Sequence, residues 1–217
     1  MKPFAVIGAS SGTGLALVKL LEKNRLPVRA ISRKPRAASE FIEPFAADVT
    51  DIESISKALT GDFSAVFFTV DIHGFNSRAT VRKLMYQGFI NTIQAAAKNK
   101  TPPKIVLLSV IGSEISSWVW WILNAMKPGM QKNIIDRENA LKESGLAYVI
   151  CRAPKLNDDI KNLTPISASS PTHKLTMNMG ISRENLARVL LKAAKAAPEN
   201  TTWDIIPDKD KSTLGWL

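Results

Sequence analysis

A short apolar run, Phe4-Ala5-Val6-Ile7, meets Gly8, and two more glycines follow at Gly12 and Gly14. An amphipathic stretch then begins at Leu15. This order predicts a strand, a glycine-rich turn and a helix. In a parallel α/β sheet such a unit grips the pyrophosphate of a dinucleotide. The glycines permit a tight turn and close backbone approach, and the helix start offers free N–H groups and partial positive charge. The glycine pattern draws its weight from the strand before it and the helix after it.

The rest of the chain alternates in the same way. Val28 to Ser32, Phe45 to Val49, Ala65 to Thr69, Lys104 to Ser109, Ala147 to Cys151 and Thr202 to Ile206 read as strands. Asp51 to Leu59, Ser77 to Lys98, Gln131 to Ser144 and Ser182 to Ala196 read as helices. Thr50 or Asp51 suits the N-cap of the first of these, and Ser182 begins a partial capping pattern in the last. Near-continuous apolar strands between helices predict a Rossmann-type α/β fold, a doubly wound parallel sheet. No internal boundary interrupts residues 1–217, so one domain is expected.

Composition narrows the setting. The 217 residues are 45% hydrophobic, enough for a sizeable core, and a single cysteine, Cys151, rules out an internal disulfide framework. No secretory leader pattern is seen at the N-terminus, so a cytoplasmic location is expected. The net charge of +10 suits an anionic partner, but the basic residues are dispersed and no recognition motif accompanies them. Nucleic acid is therefore not expected as a partner. No cluster of His, Cys or carboxylates suggests a metal.

More specific motifs lie further along. Gly8-Ala9-Ser10-Ser11-Gly12-Thr13-Gly14 resembles the nucleotide loop of the short-chain dehydrogenase/reductase superfamily. Ser144-Gly145-Leu146 through Arg152-Ala153-Pro154 resembles a strand segment of its atypical, NmrA-like branch, which includes flavin-reductase-like proteins. Ile181-Ser182-Arg183-Glu184-Asn185-Leu186-Ala187 is similar to a helix start of the same branch. The resemblance spans essentially the whole chain. One departure is Ser11, where that branch usually has glycine.

The resemblance implies a binding site for NAD(P)H along Gly8, Ser10, Ser11, Gly12, Thr13 and Gly14. NAD-specific sites usually end the second strand in Asp or Glu, which binds the ribose 2′-hydroxyl. Here Ser32-Arg33-Lys34 stands instead. A guanidinium binds a 2′-phosphate that a carboxylate would repel. Arg33, helped by Ser32, Lys34 and Arg36, thus predicts NADP(H) over NAD(H), with a solvated basic loop as the alternative. By resemblance Asp48 and Val49 face the adenine, with a cap on the next helix as the alternative for Asp48. Thr69 and Val70 are expected near the adenine ribose, and Ser109, Arg152, Pro154 and Lys155 near the nicotinamide.

The catalytic signal is thinner. Tyrosine–lysine reductases pair a Tyr with a Lys four residues on, but Tyr86 is followed there by Ile90 and Tyr148 by Arg152. Ser109, Lys132 and Lys155 are the candidate catalytic groups, each lysine equally readable as a surface charge. His73 and His173 lie in loops and have no carboxylate at a telling spacing. Without a positioned acid, the expected substrate is a flavin, quinone or similar aromatic or conjugated acceptor, which collects its proton from solvent. A non-catalytic, NAD(P)-sensing regulator is the alternative. Trp118, Trp120 and Trp121 can wall a flat pocket, touch a membrane surface weakly or pack as a lid. A monomer and a homodimer are both compatible with the sequence.

Overall fold

The computed structural model describes residues 1–72, 74–159, 166–207 and 216. Among the described residues ten strands occur: β1 (Phe4–Ile7), β2 (Val28–Ser32), β3 (Ile42–Ala46), β4 (Ala65–Phe68), β5 (Lys104–Val110), β6 (Tyr148–Ala153), β7 (Lys155–Asn157), β8 (Ile166–Ser169), β9 (Gly180–Ser182) and β10 (Thr201–Pro207). The helices are α1 (Gly12–Lys23), α2 (Ile52–Ala58), α3 (Arg78–Arg82), α4 (Gly88–Ala97), α5 (Trp118–Met126), α6 (Met130–Lys142) and α7 (Arg183–Ala196). A π-helical turn, Lys83–Gln87, joins α3 to α4.

Eight strands form one sheet in the order β3-β2-β1-β4-β5-β6-β10-β8. All pairings are parallel except β10 with β8. The chain winds outward from β1 to β3, then returns to β4 on the other side of β1. That reversal opens a crevice at the carboxyl ends of β1 and β4, where open α/β sheets bind ligands. The predicted doubly wound sheet is thus present, with one antiparallel edge strand added.

Each face of the sheet is covered. On one, Leu17, Val18 and Leu21 of α1 meet Leu186, Leu190 and Ala193 of α7 over Val6, Phe67 and Val106. On the other, Ile55, Phe89, Ile93 and Leu141 from α2, α4 and α6 cover Ala5, Ile7, Val66 and Leu107. This two-sided burial is why the strands read as continuous apolar runs rather than alternating ones. Cys151 lies inside the first core, and burial pushes its thiol up to about 12. It should be inert to an aromatic disulfide reagent at pH 8 in the native protein. One thiol should appear on addition of denaturant; rapid reaction of the folded chain would contradict its burial.

Two elements differ from expectation. The third strand spans Ile42–Ala46 rather than Phe45 to Val49, because β2 pairs with it from Val28↔Ile42 to Ser32↔Ala46. Pro44 sits within it, which an edge strand tolerates because no outer ladder needs its N–H. Asp48 and Val49 therefore lie in the loop after the strand. The long helix predicted over Ser77 to Lys98 is interrupted by the π turn, and Leu84 and Met85 on that turn border the crevice.

Candidate functional site

The first turn of the fold shows why its glycines are needed. Gly8 has φ +91, and an added Cβ there would lie 3.0 Å from Thr69 Oγ1 and 3.1 Å from the Val70 nitrogen. At Gly14 an added Cβ would fall 2.3 Å from the Gly8 carbonyl oxygen and 2.5 Å from Thr69 Oγ1. Helix α1 thus presses directly on the β1 turn. Thr69, just past the end of β4, locks the arrangement by donating its hydroxyl to the Ile7 carbonyl at 2.8 Å. Ser11 is the N-cap of α1 with extended backbone (φ −154), a conformation that a side chain tolerates. Its hydroxyl makes no capping bond. Serine in place of the usual glycine is therefore accommodated without strain.

A cavity of about 430 Å³ lies above this turn, at the carboxyl ends of β1, β2, β4, β5 and β6. Ser10, Ser11, Gly12 and Thr13 form its floor beside Gly8. Ser32 and Arg33 border one end with Asp48 and Val49, and Thr69 and Val70 border the middle. Ser109, Pro154 and Lys155 border the other end. Burial disfavours the charge on Asp48, but the Thr50 backbone and hydroxyl, with Arg33 and Lys83 nearby, more than offset this and hold its carboxyl below the usual range. Asp48 accepts from the Thr50 N–H at 2.9 Å. It does not cap α2; Asp51 does, accepting from the N–H groups of Glu53 and Ser54.

Five candidate residues lie outside the cavity lining, among them Lys34, which is exposed. Gly14 sits beneath the loop as the contact point just described. Arg36 reaches back so that Nε and Nη2 donate to the Ser10 carbonyl at 3.2 and 3.1 Å, bracing the loop from outside. Lys132 is exposed on α6 and pairs with Asp136 at 2.9 Å, one turn along the helix. It borders a separate shallow surface hollow, so a catalytic role in the main cavity does not fit its position. Arg152 is 2% exposed and turned into the protein, where Nη2 meets Glu138 at 2.6 Å and Glu114 at 2.9 Å. Glu138 is itself 1% exposed and also accepts from the Ser109 hydroxyl. Arg152 is thus committed to an ion pair, while Ser109 borders the cavity with its hydroxyl turned to Glu138.

The histidines divide. His73 lies outside the described residues. His173 has a carboxylate partner that sequence spacing did not reveal: its Nδ1 lies 3.1 Å from Asp204 Oδ2 and its backbone N–H donates to the same oxygen at 3.0 Å. Burial raises the Asp204 carboxyl despite this contact. Neither residue of the pair is in the cavity lining. The tryptophans divide too. Trp120 is buried and donates Nε1–H to the Gly112 carbonyl at 2.7 Å, whereas Trp118 and Trp121 are exposed. Leu123, and none of the three tryptophans, borders the cavity, so an aromatic wall is not what α5 supplies. Among the described residues no helix is long and apolar enough to cross a membrane.

Three further basic residues lie in the lining: Lys127, Arg137 and Arg183. Arg183 opens α7, with Nε 3.7 Å from where a Cβ on Gly12 would stand, so it faces the glycine turn across the cavity. The Ile181-Ser182-Arg183 motif was a signal for it, read only as a helix start. Lys127 donates to the Ile72 carbonyl. Among the described residues, five basic side chains border the cavity against two acidic ones, Asp48 and Asp71, a balance that attracts a polyanion.

The sequence matches the NAD(P)H-binding family over residues 8–197. The chain belongs to that family. The matched span begins at the first glycine of the cradle and runs through α7. No curated protein matches the sequence. Among solved structures, the fold is similar to that of the oxidoreductase ylbE from Lactococcus lactis, at 16% identity and TM-score 0.78, covering 95% of this chain and 91% of that one. It is similar to ChuY, an anaerobilin reductase from Escherichia coli O157:H7, at 18% identity and TM-score 0.73, covering 95% and 98%. A short-chain dehydrogenase/reductase from Veillonella parvula in complex with NADP gives 16% identity and TM-score 0.75, with 97% of each chain covered. The expected likeness to the atypical short-chain dehydrogenase/reductase, flavin-reductase-like fold is borne out.

Proposed function

We propose that the protein is an NADPH-dependent oxidoreductase that passes a hydride to a flavin, quinone or similar conjugated acceptor. The observation that carries the reading is the cavity itself. It joins a glycine cradle that a Cβ would fill to a β2 end bearing Ser32 and Arg33 in place of a carboxylate. The anaerobilin reductase and NADP-bound proteins that share the fold support the same reading.

In this reading the free N–H groups at the start of α1, the Ser11 hydroxyl and Arg183 hold the pyrophosphate. Arg33 takes the 2′-phosphate, and Ser32 borders it. Asp48 accepts from the adenine amino group, Val49 packs beside the ring, and Thr69 and Val70 border the ribose. Ser109, Pro154 and Lys155 border the nicotinamide. The cofactor supplies the hydride. Neither Tyr86 nor Tyr148 borders the cavity: Arg82 covers the Tyr86 ring at 4.6 Å, and Tyr148 packs against the sheet core. An acceptor that delocalises charge and takes its proton from water suits such a lining better than a simple ketone does.

Arg33→Asp should weaken NADPH by more than about tenfold and NADH far less, since it replaces a charge-assisted pair with repulsion. Binding titrations with both cofactors check this, and equal losses would contradict the 2′-phosphate role. NADPH oxidation with flavin, quinone and dye acceptors tests turnover. Tight NADPH binding with no turnover on any acceptor would favour the NAD(P)-sensing alternative.

A further inference from the structure

Arg137 is the least expected group in the cavity wall. It projects from α6, is 2% exposed and borders the cavity together with Leu108, Met130 and Lys127. Its Nη2 donates to the Leu108 carbonyl at 3.0 Å. Among the described residues its Nε and Nη1 have no hydrogen-bond partner and no carboxylate forms an ion pair with it. The neighbouring Glu138 is occupied by Arg152 and Ser109. Burying a cation without a counter-charge opposes folding. Burial accordingly makes this guanidinium easier to deprotonate, with Glu138 and Asp71 opposing that.

The donor geometry is specific. A guanidinium carries five N–H groups, and Leu108 takes one of the two on Nη2. If it takes the hydrogen on the Nε side, the Nη1/Nη2 edge is left complete. If it takes the other, the Nε/Nη2 edge is left complete. In both cases one two-donor edge remains, matched in shape to a carboxylate. The site lies at the β5 end of the cavity, across from the Arg33 end proposed for the 2′-phosphate.

We infer that Arg137 binds a carboxylate on the hydride acceptor, so that the acceptor class is a flat, conjugated organic acid. The inference rests on the reading of the cavity as an NAD(P)H site, with the acceptor at its β5 end. It explains why a buried, half-unpartnered cation stands there, and with Lys127 and Lys155, which also border the cavity, it selects the acceptor by charge. Asp71 borders the same cavity and its charge acts on Arg137, but it forms no ion pair with it, so the guanidinium edge stays open to an acceptor acid.

The probes are 2-naphthoate and its neutral isostere 2-naphthamide, titrated into the NADP⁺-loaded protein. Naphthoate should bind at least about tenfold more tightly than naphthamide, as expected for hydrogen bonds to a charged group. Arg137→Met should abolish that preference while leaving NADP⁺ affinity within about twofold. Arg137→Lys, which keeps the charge and loses the planar fork, should retain only part of it. Urea melts of both variants check folding, and Arg137→Met should be no less stable than the parent because it removes an uncompensated buried charge. Equal binding of the two probes, or a preference that survives Arg137→Met, would overturn the inference. Failure of the parent protein to bind NADP⁺ would instead overturn the cofactor reading.

Discussion

Glu138→Ala should lower the stability of the protein by about 3–5 kcal/mol, the range for leaving one member of a buried ion pair uncompensated. Arg152 would remain almost wholly buried, holding only Glu114, which is 51% exposed and therefore a weak partner. The Ser109 hydroxyl would lose its acceptor in the same step. In a chain of this length the loss corresponds to a fall in Tm of roughly 10 °C. Urea denaturation of Glu138→Ala beside Glu114→Ala is the measurement, with the exposed partner expected to cost no more than about 1 kcal/mol. Similar small losses in both would mean that Glu138 does not neutralise Arg152. Replacing Glu138 and Arg152 together with methionine should recover much of the loss, since the penalty belongs to the stranded charge.

Gly14→Ala should have the second large effect. The methyl group would stand 2.3 Å from the Gly8 carbonyl oxygen and 2.8 Å from its carbonyl carbon. Those obstacles are backbone, so the relief must come from moving α1 away from β1. Overpacking of this kind falls at the upper end of its usual range, about 3 kcal/mol. The same displacement would pull the start of α1 out of the cavity floor, so NADPH binding should fall with stability. Gly12→Ala is the control. Its methyl group meets nothing closer than Arg183 Nε at 3.7 Å, and the strain of φ +54 is its main cost. Chemical denaturation and cofactor titration of the two variants should rank Gly14→Ala well below Gly12→Ala. The reverse order would mean that α1 and β1 do not touch at Gly14.

The two glycines show what a sequence carries and what it omits. Gly8, Gly12 and Gly14 were legible as a nucleotide cradle because strand, turn and helix are consecutive, and local spacing encodes them. Their separate duties were not legible, since the atoms that Gly14 must avoid belong partly to Thr69, which directly follows β4, a strand paired with β1 across the sheet. The third strand was placed late for a similar reason. Its limits follow from pairing with β2, which overrides the interruption that Pro44 suggests on its own. The short strands β7, β8 and β9 left no periodic signal, being three or four residues long.

The site divides along the same line. Arg33 and Asp48 lie a fixed number of residues beyond β2 and β3, so strand order alone brings them to the cavity mouth. Arg152 and Lys132 are as prominent in the sequence, yet Glu138 and Asp136 claim them. His173 and Asp204 are 31 residues apart and meet only because β10 pairs with β6 on one side and β8 on the other.

Residue order and spacing were enough to establish the parallel α/β sheet, the glycine cradle at its centre and the basic end of β2. Each of these arises from contacts within a single β-turn-α unit or from a strand's own continuous burial. Which charges remain available to a ligand was decided by the packed structure alone. A cation is either neutralised or left open according to which carboxylate reaches it first, and those contacts join residues far apart in the chain. Glu138 neutralises Arg152 and leaves its own neighbour Arg137 without an ion-pair partner among the described residues.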